Sequence, residues 1–286
     1  MRLLILLLCL SLPLSPIHPK KPEISWEQKL LHQVMVFLDR QKIKEFENLS
    51  ARVKAEFATA LPGSLVQYSP LIYDRIKTAE KIIALTFDAC GGKGRLGNGY
   101  DRELIDLLKK EKIPATLFMT AKWILRNQDK MKEILENPLF DIANHGLFHK
   151  PASIRGLSIY GIKGTASIEE LMLEVELNAL YLEKISGKKP RFYRPGTAFF
   201  DQTALKIIRK LGYLPLNFSI TPGDSFNPKD KIIRIVLKQL KPGAIAIFHM
   251  NHPNRFTKEA LEELIPKIRA KGYRFVLLKD FLHHFN

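Results

Sequence analysis

The 286 residues carry 45 Lys and Arg against 29 Asp and Glu, a formal net charge of +16, and 46% of them are hydrophobic. That apolar fraction excludes wholesale disorder and suffices for one large α/β domain with an extension. The charge favours anionic surroundings, but the basic residues are spread along the chain with no arginine-rich block, so a nucleic-acid partner is not expected.

The chain opens with Met1-Arg2 and an apolar run, Leu3 to Leu14, interrupted by Pro13. The run is too short to span a bilayer. Residues 1–16 therefore read as a secretory signal peptide, or as a short hydrophobic segment if retained. Export to the periplasm or cell surface, with no stable membrane span, is the corresponding expectation. Once this segment is removed, Cys90 is the only cysteine, so no internal disulfide can form.

Residues 17–78 read as a linker and helical extension. Residues 17–25 are rich in Pro and Lys. Leu30, Leu31, Val34, Phe37 and Leu38 recur at helical spacing, predicting a helix over Trp26 to Phe46. Ser50 is placed to cap a second helix reaching Ala60, and Leu61-Pro62-Gly63 stops it.

Residues 79–286 alternate strand-like and helix-like runs. The strand-like runs are 82–88, 115–119, 140–144, 191–194, 213–218, 243–248 and 273–278. The helix-like runs are 101–111, 121–136, 167–186, 201–211, 228–241 and 257–270. The third of these carries Leu171, Val175, Asn178 and Leu182 on one stripe and stops at Gly187. Seven strands interleaved with six helices predict parallel βα units.

Ionisable residues stand at or just past five strand ends: Asp88, His145, Arg194, Asp224 and His249. In a parallel barrel those ends open on one face, where catalytic groups gather. Asp88 ends an otherwise apolar strand, so it needs a cation or hydrogen-bond donors. Arg194 can hold and orient such a carboxylate. His145 and His149 are four apart, and on a helical turn would share a face suited to a divalent metal. Asp224 could pair with a histidine or simply make an Asx turn. His249 ends a buried strand and is positioned to be a general acid.

These residues resemble the polysaccharide deacetylase (NodB-like) family, carbohydrate esterase family 4. Thr86-Phe87-Asp88, Asn144-His145 through His149, Arg194-Pro195, Asp224 and Ile247-Phe248-His249 match that family's motifs in order, over about residues 80–280. The resemblance implies a distorted (β/α) barrel of about seven mostly parallel strands. It also implies metal-dependent removal of N-acetyl groups from an amino-sugar polysaccharide or oligosaccharide, most simply with Zn²⁺. His145 and His149 would bind the metal, and Asp88 would serve as base, positioned by Arg194. A backbone N–H near Thr197 would stabilise the oxyanion. His249, oriented by Asp224, would protonate the leaving amine, and Ile247 would line the acetyl pocket.

One departure stands out. Ala89 occupies the family's usual metal-ligand aspartate, and alanine cannot coordinate. The third protein ligand is then Asp88 itself, Asp101 across the glycine loop Gly91–Gly99, or Cys90 as thiolate, which would favour zinc. Asp101 also stands where a helix N-cap belongs, and Cys90 could be merely a small turn residue. Ala89 further motivates a second expectation, a saccharide-binding protein of the same fold without catalysis. Thr197-Ala198 stand where many members have a tyrosine, so substrate contacts are expected to differ.

Overall fold

The computed structural model describes residues 24–92 and 97–285. The hydrophobic segment 1–16, most of its linker and the centre of the glycine loop lie outside the described residues. Helix α1 (Trp26–Phe37) starts at Ser25, whose hydroxyl accepts from the Gln28 N–H while the Gln28 side chain reaches back, a capping box. The single helix expected to Phe46 is in fact two. Leu38 is extended, and α2 (Arg40–Glu56) starts after Asp39, whose carboxylate is held by Lys184 at 2.9 Å. Ser50 consequently lies inside α2 and caps nothing. Leu30, Val34, Phe46 and Val53 bury the inner faces of both helices in the main core. No described helix is long and apolar enough to cross a membrane.

A short strand, β1 (Leu65–Val66), precedes the barrel. The barrel starts with β2 (Ile82–Ala89), α3 (Arg102–Lys110), β3 (Ala115–Met119), α4 (Ala121–Ile124), α5 (Gln128–Leu135) and β4 (Phe140–Asn144). A hairpin of β5 (Ser158–Ile159) and β6 (Ile162–Lys163) follows, then α6 (Ile168–Met172), a π-helical turn (Leu173–Leu177) and α7 (Asn178–Ser186). The rest is β7 (Phe192–Tyr193), β8 (Phe200–Asp201), α8 (Gln202–Lys210), β9 (Leu214–Pro215), α9 (Lys229–Gln239), β10 (Ala244–His249), α10 (Thr257–Ala270) and β11 (Arg274–Phe275). The predicted helix 121–136 is split because Asn127 turns its side-chain amide onto the Trp123 carbonyl at 2.9 Å, competing with the helical ladder.

Seven strands form one sheet, ordered β10-β2-β3-β4-β7-β9, with β11 on β2. All of its pairings are parallel. Beyond β9, Ile220 bridges Ala246 of β10 in parallel, which brings the two edges of the sheet together. The result is the expected distorted (β/α) barrel. Its irregularity explains why three predicted strands shrink to two residues each: β4 and β7, for example, pair only through Asn144 and Tyr193.

The two-residue period of the strands then sorts the side chains. On β2, Ile82 and Ala84 face the barrel interior, while Ile83, Leu85, Phe87 and Ala89 pack against the helices. On β10, Ile245 and Ile247 face inward, while Ala244, Ala246 and Phe248 face outward. Continuing the inward rows past their apolar residues gives Thr86 and Asp88 on one strand and His249 on its neighbour. The register sets Asp88 directly beside His249.

Candidate active site

Asp88 and Arg194 form the floor of the site. The Arg194 guanidinium is fully buried, with its centre 4.1 Å from the Phe118 ring centroid and 5.4 Å from that of Phe218. Its Nη1 donates to Asp88 Oδ1 at 2.6 Å, and Nη2 donates to Thr86 Oγ1 and the Asn217 carbonyl, both at 3.1 Å. Nε donates to the Leu216 carbonyl at 3.2 Å. Four of the five N–H donors thus meet acceptors, the dense pairing that a buried guanidinium requires. The other oxygen of Asp88, Oδ2, lies 3.4 Å from His145 Nε2.

His145 and His149 do not lie on a helical turn. They occupy the loop after β4, where His149 adopts a left-handed φ of 68°. The two rings still meet edge to face, with centroids 4.8 Å apart. His145 Nδ1 lies 2.8 Å from the Arg194 carbonyl oxygen, which can only accept, so Nδ1 carries the proton and the Nε2 lone pair faces the site. Gly196 is required beside this loop: a Cβ there would sit 2.3 Å from the His149 carbonyl oxygen.

Cys90 follows outward-facing Ala89 and returns to the inner side. Its Sγ is 3.6 Å from His145 Nε2. The ligand atoms of Cys90, His145 and His149 all lie within 4.8 Å of one another, a group among the described residues that could hold a metal ion. Burial alone would raise the Cys90 thiol, but the imidazoles of His149, His145 and His249 outweigh it and hold the thiol well below its usual range. A soft thiolate with two imidazoles suits a zinc-like ion. Asp88 touches His145 but is not a member of this group of three. Asp101 is not a member either. Its carboxylate accepts the Leu104 N–H at 3.0 Å and caps α3, so the cap reading holds for it.

His249 and Asp224 form the opposite wall. Asp224 Oδ1 lies 3.0 Å from His249 Nδ1, while Oδ2 accepts the His249 backbone N–H at 2.7 Å and the Thr257 hydroxyl at 2.9 Å. Burial would lower the His249 pKa, yet the Asp224 carboxylate outweighs it and keeps the imidazole well above its usual range. Nε2 remains for the site. Thr197 and Ala198 both adopt positive φ, 72° and 63°. Thr197 Oγ1 is shielded from solvent and has no hydrogen-bond partner among the described residues. Ile247 is 8% exposed at the top of the inner apolar row.

The supporting roles of three residues escaped the sequence reading. Glu174 is fully buried, and its carboxylate accepts the Phe148 N–H at 2.9 Å and the Lys150 N–H at 2.8 Å, the two amides flanking His149. Its backbone carbonyl accepts the Leu147 N–H at 3.1 Å. The π-helical turn, a feature common at functional sites, contains Glu174. Asn178, read as part of an apolar stripe, donates to Asn144 Oδ1 at 2.7 Å, and that oxygen also accepts the Gly146 N–H. Thr86 shares Arg194 with Asp88. The signal for the first two was present: a charged and an amide side chain on a stripe otherwise meant for burial.

Residues 75–216 match the family model of polysaccharide deacetylase. Over 209 residues the chain is 30% identical to a peptidoglycan-N-acetylglucosamine deacetylase of Bacillus cereus, spanning 72% of this chain and 90% of that one. A peptidoglycan-N-acetylmuramic acid deacetylase of Bacillus subtilis is 28% identical over 210 residues, spanning 72% of this chain and 73% of that one. A solved family 4 carbohydrate esterase of Bacillus subtilis superposes with a TM-score of 0.58 at 26% identity, covering 75% of this chain and 86% of that one. A CE4-family pseudoenzyme from Bacillus anthracis shares the fold, with a TM-score of 0.62 at 23% identity, covering 75% of this chain and 70% of that one. With an ordered set of motif residues converging at one end of the barrel, and a relative matched over nearly its whole length, the chain belongs to the polysaccharide deacetylase family.

Proposed function

We propose that the protein is an exported, zinc-dependent N-deacetylase acting on amino sugars of a cell-wall or surface glycan. The observation that best supports this is the junction of Asp88, held on Arg194, with the Cys90, His145 and His149 group. Cys90, His145 and His149 would hold the ion. A bound divalent cation supplies Lewis acidity to water and to the acetyl carbonyl oxygen.

The chain's own groups account for the proton movements. Asp88 Oδ2, with Oδ1 already occupied by Arg194, takes a proton from the attacking water. Water oxygen adds to the acetyl carbon, the C–N bond breaks, acetate leaves, and the sugar nitrogen becomes an amine. His249 gives the nitrogen its proton from Nε2, its Nδ1 held by Asp224. A backbone N–H of the strained Thr197 segment faces the oxyanion, and Ile247 lines the acetyl-methyl pocket. The basic chain suits an anionic wall.

A second reading, a saccharide-binding protein without catalysis, draws on Ala89. Metal analysis combined with acetate release from amino-sugar polymers separates the two. The expected result is one bound zinc and acetate release by the wild type, with Asp88→Asn retaining metal but losing turnover and His145→Ala losing both. A wild type that binds no divalent ion and releases no acetate from any N-acetylated glycan overturns the deacetylase reading.

A further inference from the structure

Tyr160 has a conformation the barrel does not need. It forms, with Gly161, the two-residue loop of the β5–β6 hairpin, and both adopt positive φ, 53° and 72°. Asn-Gly is the usual pair in such a turn, and a bulky residue there is strained. Strain of this kind collects at ligand-contacting positions. The Tyr160 side chain contributes little to the core, being 74% exposed, and meets the Phe199 ring edge to face at 5.8 Å.

Phe199 directly follows Thr197 and Ala198, the left-handed pair next to Gly196 and His149. A third ring arrives from the N-terminal extension. The pairing of β1 with β8, Val66 opposite Phe200, carries Gln67 and Tyr68 alongside Phe199 and Ala198. Asn217 Nδ2 ties the two segments together, donating to the Gln67 carbonyl at 2.5 Å and the Ala198 carbonyl at 3.0 Å. Tyr68, two residues past Val66 of β1, is 53% exposed. The Tyr160 and Phe199 rings therefore form a rim continuous with the Thr197 segment, and the β1–β8 register carries Tyr68 to the same edge.

We propose that Tyr160, Phe199 and Tyr68 form an aromatic subsite that stacks on a pyranose ring of the glycan chain adjoining the reacting amino sugar. The identity of the ligand rests on the deacetylase reading. A pyranose presents an apolar C–H face and a hydroxyl edge. Tyrosine matches it with an electron-rich ring face and a polar tip that stays in water. The extension thereby takes part in substrate binding, and the site prefers a chain to a single sugar.

The test is isothermal titration of the full-length protein with a tetramer and with the monomer of N-acetylglucosamine, comparing wild type, Tyr160→Ala, Tyr160→Phe and Tyr68→Ala. The alanine variants are expected to bind the tetramer about tenfold more weakly, while Tyr160→Phe stays within about twofold and monomer binding is unchanged. Unchanged tetramer affinity in both alanine variants, or a wild type that holds the tetramer no more tightly than the monomer, overturns the subsite. Acetate release is scored separately. A wild type that binds the tetramer through these rings but binds no divalent ion and releases no acetate from any N-acetylated glycan supports the subsite while removing the deacetylase reading.

Discussion

Glu174 is expected to govern the metal loop although it touches no candidate ligand side chain. Its two oxygens accept the N–H groups on either side of His149, and its backbone carbonyl takes the amide of Leu147. His149 between them is held in a left-handed conformation, which costs a non-glycine residue on the order of 1–2 kcal/mol. Glu174→Ala would leave two buried donors unsatisfied, at about 1–3 kcal/mol each, and would add a cavity. Glu174→Gln keeps the volume but offers one acceptor oxygen where two are used, so one donor is lost, about 1–3 kcal/mol. For a chain of this size that corresponds to a fall in melting temperature of several degrees, at roughly 2–4 °C per kcal/mol. The larger effect falls on the metal, because outer-shell losses typically weaken binding by about 10–100-fold. Competition with a chromophoric zinc chelator, run beside thermal unfolding at a temperature where the variant is folded, measures both. A folded Glu174→Gln protein that binds zinc within twofold of wild type would refute the argument.

Three further outcomes follow from the geometry. Cys90→Ser, which removes the soft donor, is expected to lower zinc affinity by at least about tenfold while leaving the fold intact, read by metal stoichiometry after dialysis. Asp101→Asn should bind zinc normally, because Asp101 caps α3, and it should change the pH profile of stability. Burial pushes the Asp101 carboxyl up to about 6, above its ordinary value of 3.8. The folded state therefore holds this proton more tightly than the unfolded chain, so stability is lost as pH rises from about 4 to 6 and stays lost above it. Asparagine keeps the cap without the charge, so denaturant titration should find Asp101→Asn more stable at pH 8, by up to about 3 kcal/mol, with the difference vanishing below about pH 4. A constant difference across that range would refute the assignment. Arg194→Met strands the Asp88 carboxylate in the barrel and is expected to destabilise by about 3–5 kcal/mol, with part of this recovered in Arg194→Met combined with Asp88→Asn. Additivity of the two single changes in chemical denaturation would count against the pair.

Much of the fold was legible because its signals are local. Each predicted helical run of the barrel contains a helix, and each predicted strand run contributes to the sheet. What failed was boundary detail with tertiary causes. Asp39 is taken by Lys184 from another helix, and the Asn127 amide is held by the Asn98 carbonyl of the glycine loop as well as by its own turn. The histidine pair was legible as a pair but not as a loop, since its left-handed backbone is imposed by Glu174 and made room for by Gly196. Glu174 and Asn178 stood in the predicted helix, and their polar character on its buried stripe was the only clue to their work.

The sequence alone determined the family, the barrel, and which ionisable residues end its strands, because ordered motifs and two-residue and 3.6-residue periods are properties of the chain itself. It left open which residue makes up for Ala89: Asp88 and Cys90 flank it in the chain, and Asp101 stands across the glycine loop. Their surroundings are set by the tertiary structure. Strand alternation turns Ala89 outward into the helix-packed core and Cys90 back toward the histidines. Asp101 is committed to a helix end, and Asp88 to a buried arginine that enters from a strand more than a hundred residues away. Which side chains share a volume is decided by packing between distant segments, and no local pattern carries that information.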